Sequence, residues 1–80
     1  MMPEEKPLTE WLTFGNGFRR TSQNPLATAD VYPFAKSWRF VVIHEESQRV
    51  ISQGVRPTAT DARACSSAVL YDMQEDSLPW

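Results

Sequence analysis

The chain has 80 residues, a formal net charge of −2, one cysteine and one histidine. That length allows one domain with a small core, hiding only about 60% of the surface an open chain exposes. A lone cysteine excludes an internal disulfide and fits a reducing cytosol, while the balance of charge argues against a dedicated nucleic-acid binder, which is usually clearly basic.

The charge is unevenly spread. Arg19, Arg20, Lys36, Arg39, Arg49, Arg56 and Arg63 outnumber the acids of the middle, Asp30, Glu45, Glu46 and Asp61, whereas both ends are acidic. Residues 1–30 hold no apolar signal-peptide core, and no stretch approaches the roughly 20 apolar residues of a membrane span. The expectation is a soluble cytoplasmic protein: a flexible start at 1–7, a single small α+β domain at 8–76 and a tail at 77–80.

In residues 8–20 two patterns compete. Leu8, Trp11, Leu12 and Phe14 have helical spacing, with Thr9 as a cap. Alternatively, a hairpin turns at Gly15-Asn16-Gly17, residues that readily take positive φ. The spacing favours a short helix or helical turn ending at Gly15. In either form Trp11, Leu12, Phe14 and Phe18 call for burial.

Residues 21–35 read as loop, because Asn24-Pro25 favours a turn and Pro33 suits at most a short edge strand at Val31-Tyr32.

Residues 37–54 are the organising stretch. Trp38 to Ile43 is β-branched or aromatic apart from Arg39, the composition of a packed strand. Alternation puts Trp38, Phe40, Val42 and His44 on one face and Arg39, Val41, Ile43 and Glu45 on the other. Both faces are apolar, unlike a sheet with one wet side. Residues 45–48 make the turn. The strand resumes at 49–54, with Val50 and Ser52 on one face, Ile51 and Gln53 on the other, and Gly54 as its end.

Pro57 forbids helix just before it, and a helix follows over about 59–74. Thr58 or Thr60 caps it, and Asp61 favours its N-terminal dipole. Asp72, Glu75 and Asp76 oppose the dipole at the far end, so fraying is expected after about Met73. Ala59, Ala62, Cys65, Val69, Leu70 and Met73 gather on one side, leaving Arg63, Ser67 and Tyr71 away from that stripe. The fold class is therefore α+β: a small antiparallel sheet built on a central β-hairpin (about 37–45 and 49–54), packed against a C-terminal amphipathic helix, with a short N-terminal helix or hairpin.

The hairpin-plus-helix half is similar to the end of a double-stranded-RNA-binding domain. Those domains open the last helix on a basic cluster, whereas this one opens Thr60-Asp61-Ala62-Arg63 and lacks the residues such a phosphate contact needs. Its architecture also resembles the three-stranded sheet and helix of integrase arm-binding domains, a likeness of fold alone.

No grouping in the sequence has the spacing of a catalytic or metal site. His44 reads as a half-exposed strand end rather than a base or ligand, and Cys65 as a small hydrophobe on the buried helix side. Gly15-Asn16-Gly17 lacks the ending of a phosphate-binding loop and reads as a turn. No enzyme activity, cofactor or metal is expected. One helix can shield only one side of the ribbon, so the second side needs the N-terminal third, another copy or a partner. The expected function is a non-catalytic protein-interaction module of a bacterial or phage accessory type, self-associating or binding another protein. Its contact residues are Arg39, Val41, Ile43, Tyr32, Phe34 and Tyr71, since Arg and aromatics are enriched at interfaces. The alternative is nucleic-acid binding through Arg19, Arg20, Lys36, Arg39 and Arg49.

Overall fold

A computed structural model describes residues 8–23 and 25–75; the readings of 1–7 and of the tail lie outside them. Five antiparallel strands, β1 Leu12–Phe14, β2 Gly17–Gln23, β3 Leu26–Phe34, β4 Ser37–His44 and β5 Arg49–Arg56, form one meander in the order β1-β2-β3-β4-β5. One helix, α1 Ala59–Glu75, crosses one face of this sheet. The expected α+β architecture is present, with more sheet than the sequence suggested. No described helix is long and apolar enough to cross a membrane.

The N-terminal segment is a hairpin, which overturns the preferred helix at 8–15. Phe14 pairs with Gly17 around a two-residue loop, and Gly15 at its first position has φ +62°. Glycine at that position is what a type II′ hairpin turn requires. Gly17 is needed for a different reason: a Cβ there would lie 2.0 Å from the Val31 carbonyl oxygen.

The loop expected at 21–35 is likewise replaced, by the end of β2 and by β3, the middle strand of the sheet. Pro33 is tolerated there because it lies at one end of the strand. It pairs with Trp38 on the β4 side, while on the other side β2 begins only at Gly17, opposite Tyr32. Its missing N–H therefore forfeits no ladder bond.

Beneath α1 the sheet presents Ala27, Ala29 and Val31 from β3 and Phe40 and Val42 from β4, all buried. The alanines let the helix sit close. From α1 come Ala62, Leu70 and Met73, fully buried, with Cys65 and Val69 packed at the margin. Leu8 joins this same core. Ser66 lies in the buried stripe too, although the sequence reading passed it over. Its hydroxyl donates to the Ala62 carbonyl at 2.9 Å, which satisfies it inside the core. Thr58 caps the helix, its Oγ1 accepting from the Asp61 N–H at 3.1 Å, and the helix continues to Glu75, past the expected fraying point.

Two details of β5 differ from expectation. A register shift between Val42 and Ile43 pairs Ile43 with Val50 and Val42 with Ser52, leaving Ile51 as the extra residue of a bulge. Val50 thereby shares a face with Ile43, while Ile51 packs on the helix-side core. Gly54 does not end the strand. It pairs with Phe40, whose ring would lie 3.0 Å from any Cβ added there.

Candidate functional site

The sheet has a second face, and no described element covers it. Cross-strand register sets Leu12, Arg19, Asp30, Val41 and Gln53 in one row on this side. Towards the β3–β4 turn follow Tyr32, Arg39 and Val55, with Phe14 at the edge and Phe34 beyond. Towards the opposite end follow Thr21, Thr28, Ile43 and Val50, then Leu26. An antiparallel sheet with a wet face normally turns polar residues to it. Here Leu12 is 60% exposed, Phe14 53%, Val50 49% and Phe34 47%.

Trp11, Leu12, Phe14 and Phe18, in the N-terminal third, were the candidates within the chain to cover this face. They do not cover it. Strand alternation sends Phe18 to the helix side, where it meets Trp38 with ring centroids 6.1 Å apart, and Trp11 packs against the core. Leu12 and Phe14 extend the open face instead. Val41 and Ile43 are half-buried by their neighbours within the sheet, not by the leading segment.

The polar groups of the face are held by one another. Arg19 grips Asp30 through two contacts, Nε to Oδ1 at 2.7 Å and Nη2 to Oδ2 at 3.2 Å, and its guanidinium lies 3.7 Å from the centroid of Phe14. The hydrogen bond to Asp30 raises the Arg19 pKa above its ordinary value, so this charge is fixed. Arg39 Nη2 donates to Gln53 Oε1, and its guanidinium lies 5.7 Å from the Phe34 centroid. Among the described residues Arg39 makes no ion pair. Its buried Nε has no acceptor there.

The two ends of the face differ. At one end stand Phe14, Tyr32, Phe34 and Arg39, with Lys36 in the β3–β4 turn; a recess of about 320 Å³ opens there between Phe14, Asp30 and Tyr32. At the other end stand Leu26, Ile43 and Val50, with Glu45 and Glu46 in the β4–β5 turn. Arg49 pairs with His44 on the helix side, so on the open face one end is aromatic and basic and the other aliphatic and acidic.

Of the contact residues expected from sequence, Arg39, Val41, Ile43, Tyr32 and Phe34 come together on this face. Tyr71 does not: it is exposed on α1, its ring centroid 5.9 Å from the Arg20 guanidinium. The sequence reading missed Leu12, Phe14, Leu26, Val50 and Val55. The cations of the nucleic-acid alternative are scattered. Arg19 and Arg39 lie on the open face, Arg20 on the helix side, and Lys36 and Arg49 at opposite ends of the sheet.

His44 is buried rather than half-exposed, and its Nδ1 lies 2.7 Å from the Ser47 hydroxyl and accepts from the Ser47 N–H at 3.3 Å. It holds the β4–β5 turn together. Cys65 lies at the other end of the sheet, half-buried, its Sγ accepting from Arg56 Nε at 3.1 Å. Among the described residues, no three His, Cys, Asp or Glu side chains are grouped as a metal site would need. No protein-family model matches the chain, and neither a curated protein nor a solved structure is significantly similar to it.

Proposed function

We propose that the protein is a non-catalytic protein-interaction module, and that its partner docks on the open sheet face. The observation that carries the reading is the set of large apolar side chains on that face, Leu12, Phe14, Phe34 and Val50 above all, left about half exposed. Patches of this kind on a small soluble domain mark contact surfaces. A centre of half-buried Val41 and Ile43, ringed by Arg39, Asp30 and threonines, has the layout of an apolar hot spot with a polar rim.

The test is capture from the lysate of the native host, with the wild-type chain and a Val41→Glu variant as baits. A partner held by the wild type, lost with Val41→Glu and kept by an Arg63→Ala control on the helix supports the reading. Identical sets of captured proteins for all three baits would refute it.

A second reading has one observation in its favour. Phe14, Tyr32 and Phe34 are exposed at the same end as Arg39 and Lys36, a combination on which single-stranded nucleic acid can stack. With Lys36 and Arg39 as the two phosphate contacts at that end, log affinity should fall against log salt with a slope of about −1.4. No gel shift of a labelled oligothymidine at low salt removes this reading.

A further inference from the structure

We infer that the open face packs against the open face of a second copy of this chain, the two sheets face to face and their strands running in opposite directions. This rests on the reading of that face as a docking surface, and names its occupant.

Size supplies the first reason. Five strands about 4.8 Å apart, three to nine residues long at about 3.3 Å per residue, present a footprint of about 550 Å². Two such faces bury about 1,100 Å² together, above the roughly 1,000 Å² that marks a biological interface and short of a standard-size one. The face is also a sheet rather than a groove, and two apolar sheet faces pack directly on each other about 10 Å apart. A reversible dimer is expected, not an obligate one.

Charge selects the arrangement. A face-to-face pair has its two-fold axis in the plane between the sheets. An axis along the strands lays the Lys36 end of one copy on the Lys36 end of the other. An axis across the strands lays it on the Glu45 and Glu46 end, twice over by symmetry. Only the second brings unlike charges together, and it also sets the aromatic end of each face on the aliphatic end of its mate. Arg19 and Asp30, already paired with each other near the middle, ask nothing of the partner. The competing mode, antiparallel addition at the outer edge of β5, is blocked by its own sequence. In the register that uses the whole strand, Arg49 of one copy meets Arg56 of the other, and the bulge at Ile51 interrupts the ladder.

Sedimentation over a range of concentrations tests this. The wild type should move from 9.1 kDa towards twice that mass. Val41→Glu should weaken the pair roughly a hundredfold or more by burying an unpaired charge. Lys36→Glu and Glu46→Lys lie at exposed turn positions that folding tolerates. Each should weaken self-association roughly three- to tenfold, since two symmetric rim contacts change sign. Mixing the two single variants should restore dimers, because each basic end then meets an acidic one. A mixture no tighter than its components overturns the antiparallel arrangement.

A wild type monomeric up to about 1 mM overturns the second copy altogether, since a pair with a Kd near that value would be visible. The docking face then stands if an anilinonaphthalene sulfonate probe binds and Val41→Glu abolishes its signal. A dimer that Val41→Glu leaves intact, in a variant whose circular dichroism is unchanged, lies elsewhere and overturns both readings.

Discussion

Arg20 joins three parts of the chain: β2, the segment before β1, and α1. From β2 its Nε donates to the Thr9 carbonyl at 2.7 Å and its Nη1 to the Ser67 hydroxyl at 2.7 Å. Its guanidinium carbon lies 5.7 Å from the ring centroid of Trp11 and 5.9 Å from that of Tyr71. Each charge-assisted hydrogen bond is worth about 1.5 kcal/mol at the lower end of its range, suited to a half-exposed site. Each cation–π contact adds about 0.5 kcal/mol. Because water takes up part of what is lost, Arg20→Ala should cost about 3 kcal/mol. That is a large share of the roughly 4–12 kcal/mol expected for a chain of this length, and corresponds to a fall in Tm of about 12–24 °C. Urea denaturation measures it. Ser67→Ala should cost about 1 kcal/mol, and the double variant less than the sum of the two. Arg20→Lys keeps the charge but loses the fork, and should recover under half of the loss. Arg19→Ala is the control, since its part-buried pair with Asp30 and its contact with Phe14 are together worth about 1.5 kcal/mol. An Arg20→Ala change below about 0.5 kcal/mol, or one equal to that of Arg19→Ala, would refute the staple.

Three other substitutions read other parts of the fold. Ala35 has φ +56° at the first position of the β3–β4 turn, so Ala35→Gly should raise stability by about 0.5–1 kcal/mol, seen as a higher urea midpoint at unchanged slope. Gly17→Ala must push β2 off the Val31 carbonyl, and should cost about 3 kcal/mol or detach β1, visible as faster amide exchange in residues 12–14. Leu70→Ala should cost about 2–5 kcal/mol by opening a core cavity, whereas Leu12→Ala on the open face should cost the monomer well under 1 kcal/mol by thermal melting.

The helix and the β4–β5 hairpin were legible because each carries one dominant signal: small and apolar residues at helical spacing in one, β-branched and aromatic runs in the other. β3 was not read, although its alternation is present. Ala27, Ala29 and Val31 face α1, while Thr28, Asp30 and Tyr32 face away. Alanine, aspartate and proline (Pro25 before the strand, Pro33 within it) are poor strand formers, and tertiary packing overrode that preference. Alanines are what a helix lying close to the sheet requires, a demand that only the folded arrangement reveals. The bulge at Ile51 left no glycine or asparagine to announce it, so the alternation grouped Val50 with Ser52 and Ile51 with Gln53, whereas Val50 shares the open side with Gln53 and Ile51 the helix side with Ser52. At residues 8–15 the helical spacing of Leu8, Trp11 and Leu12 misled. Leu8 and Trp11 do serve the core, but as the lead into an edge strand. The open face was legible in outline, because Val41 and Ile43 could not lie under the helix that Phe40 and Val42 already meet.

The distribution of side-chain volume in β3 bears most directly on what that face does. The strand turns Ala27 and Ala29 to the covered side and Leu26, Tyr32 and Phe34 to the uncovered one. A protein that worked with this face in water would gain from polar residues there, since transfer of apolar area from water is worth about 25 cal/mol per Å² and is forgone for every exposed ring. Nor does the covered side lack the capacity for bulk, as Phe40, Leu70 and Met73 lie in it. β1 repeats the pattern, with Leu12 and Phe14 on the open side and Thr13 on the other. Two strands that arrive separately in the sequence thus place their largest apolar groups on the same uncovered surface, where a single protomer buries them only in part. Burial against another surface makes use of that placement, and a polar replacement on the open side, such as Phe34→Ser, should leave the monomer's urea midpoint nearly unchanged while weakening association in the same preparation.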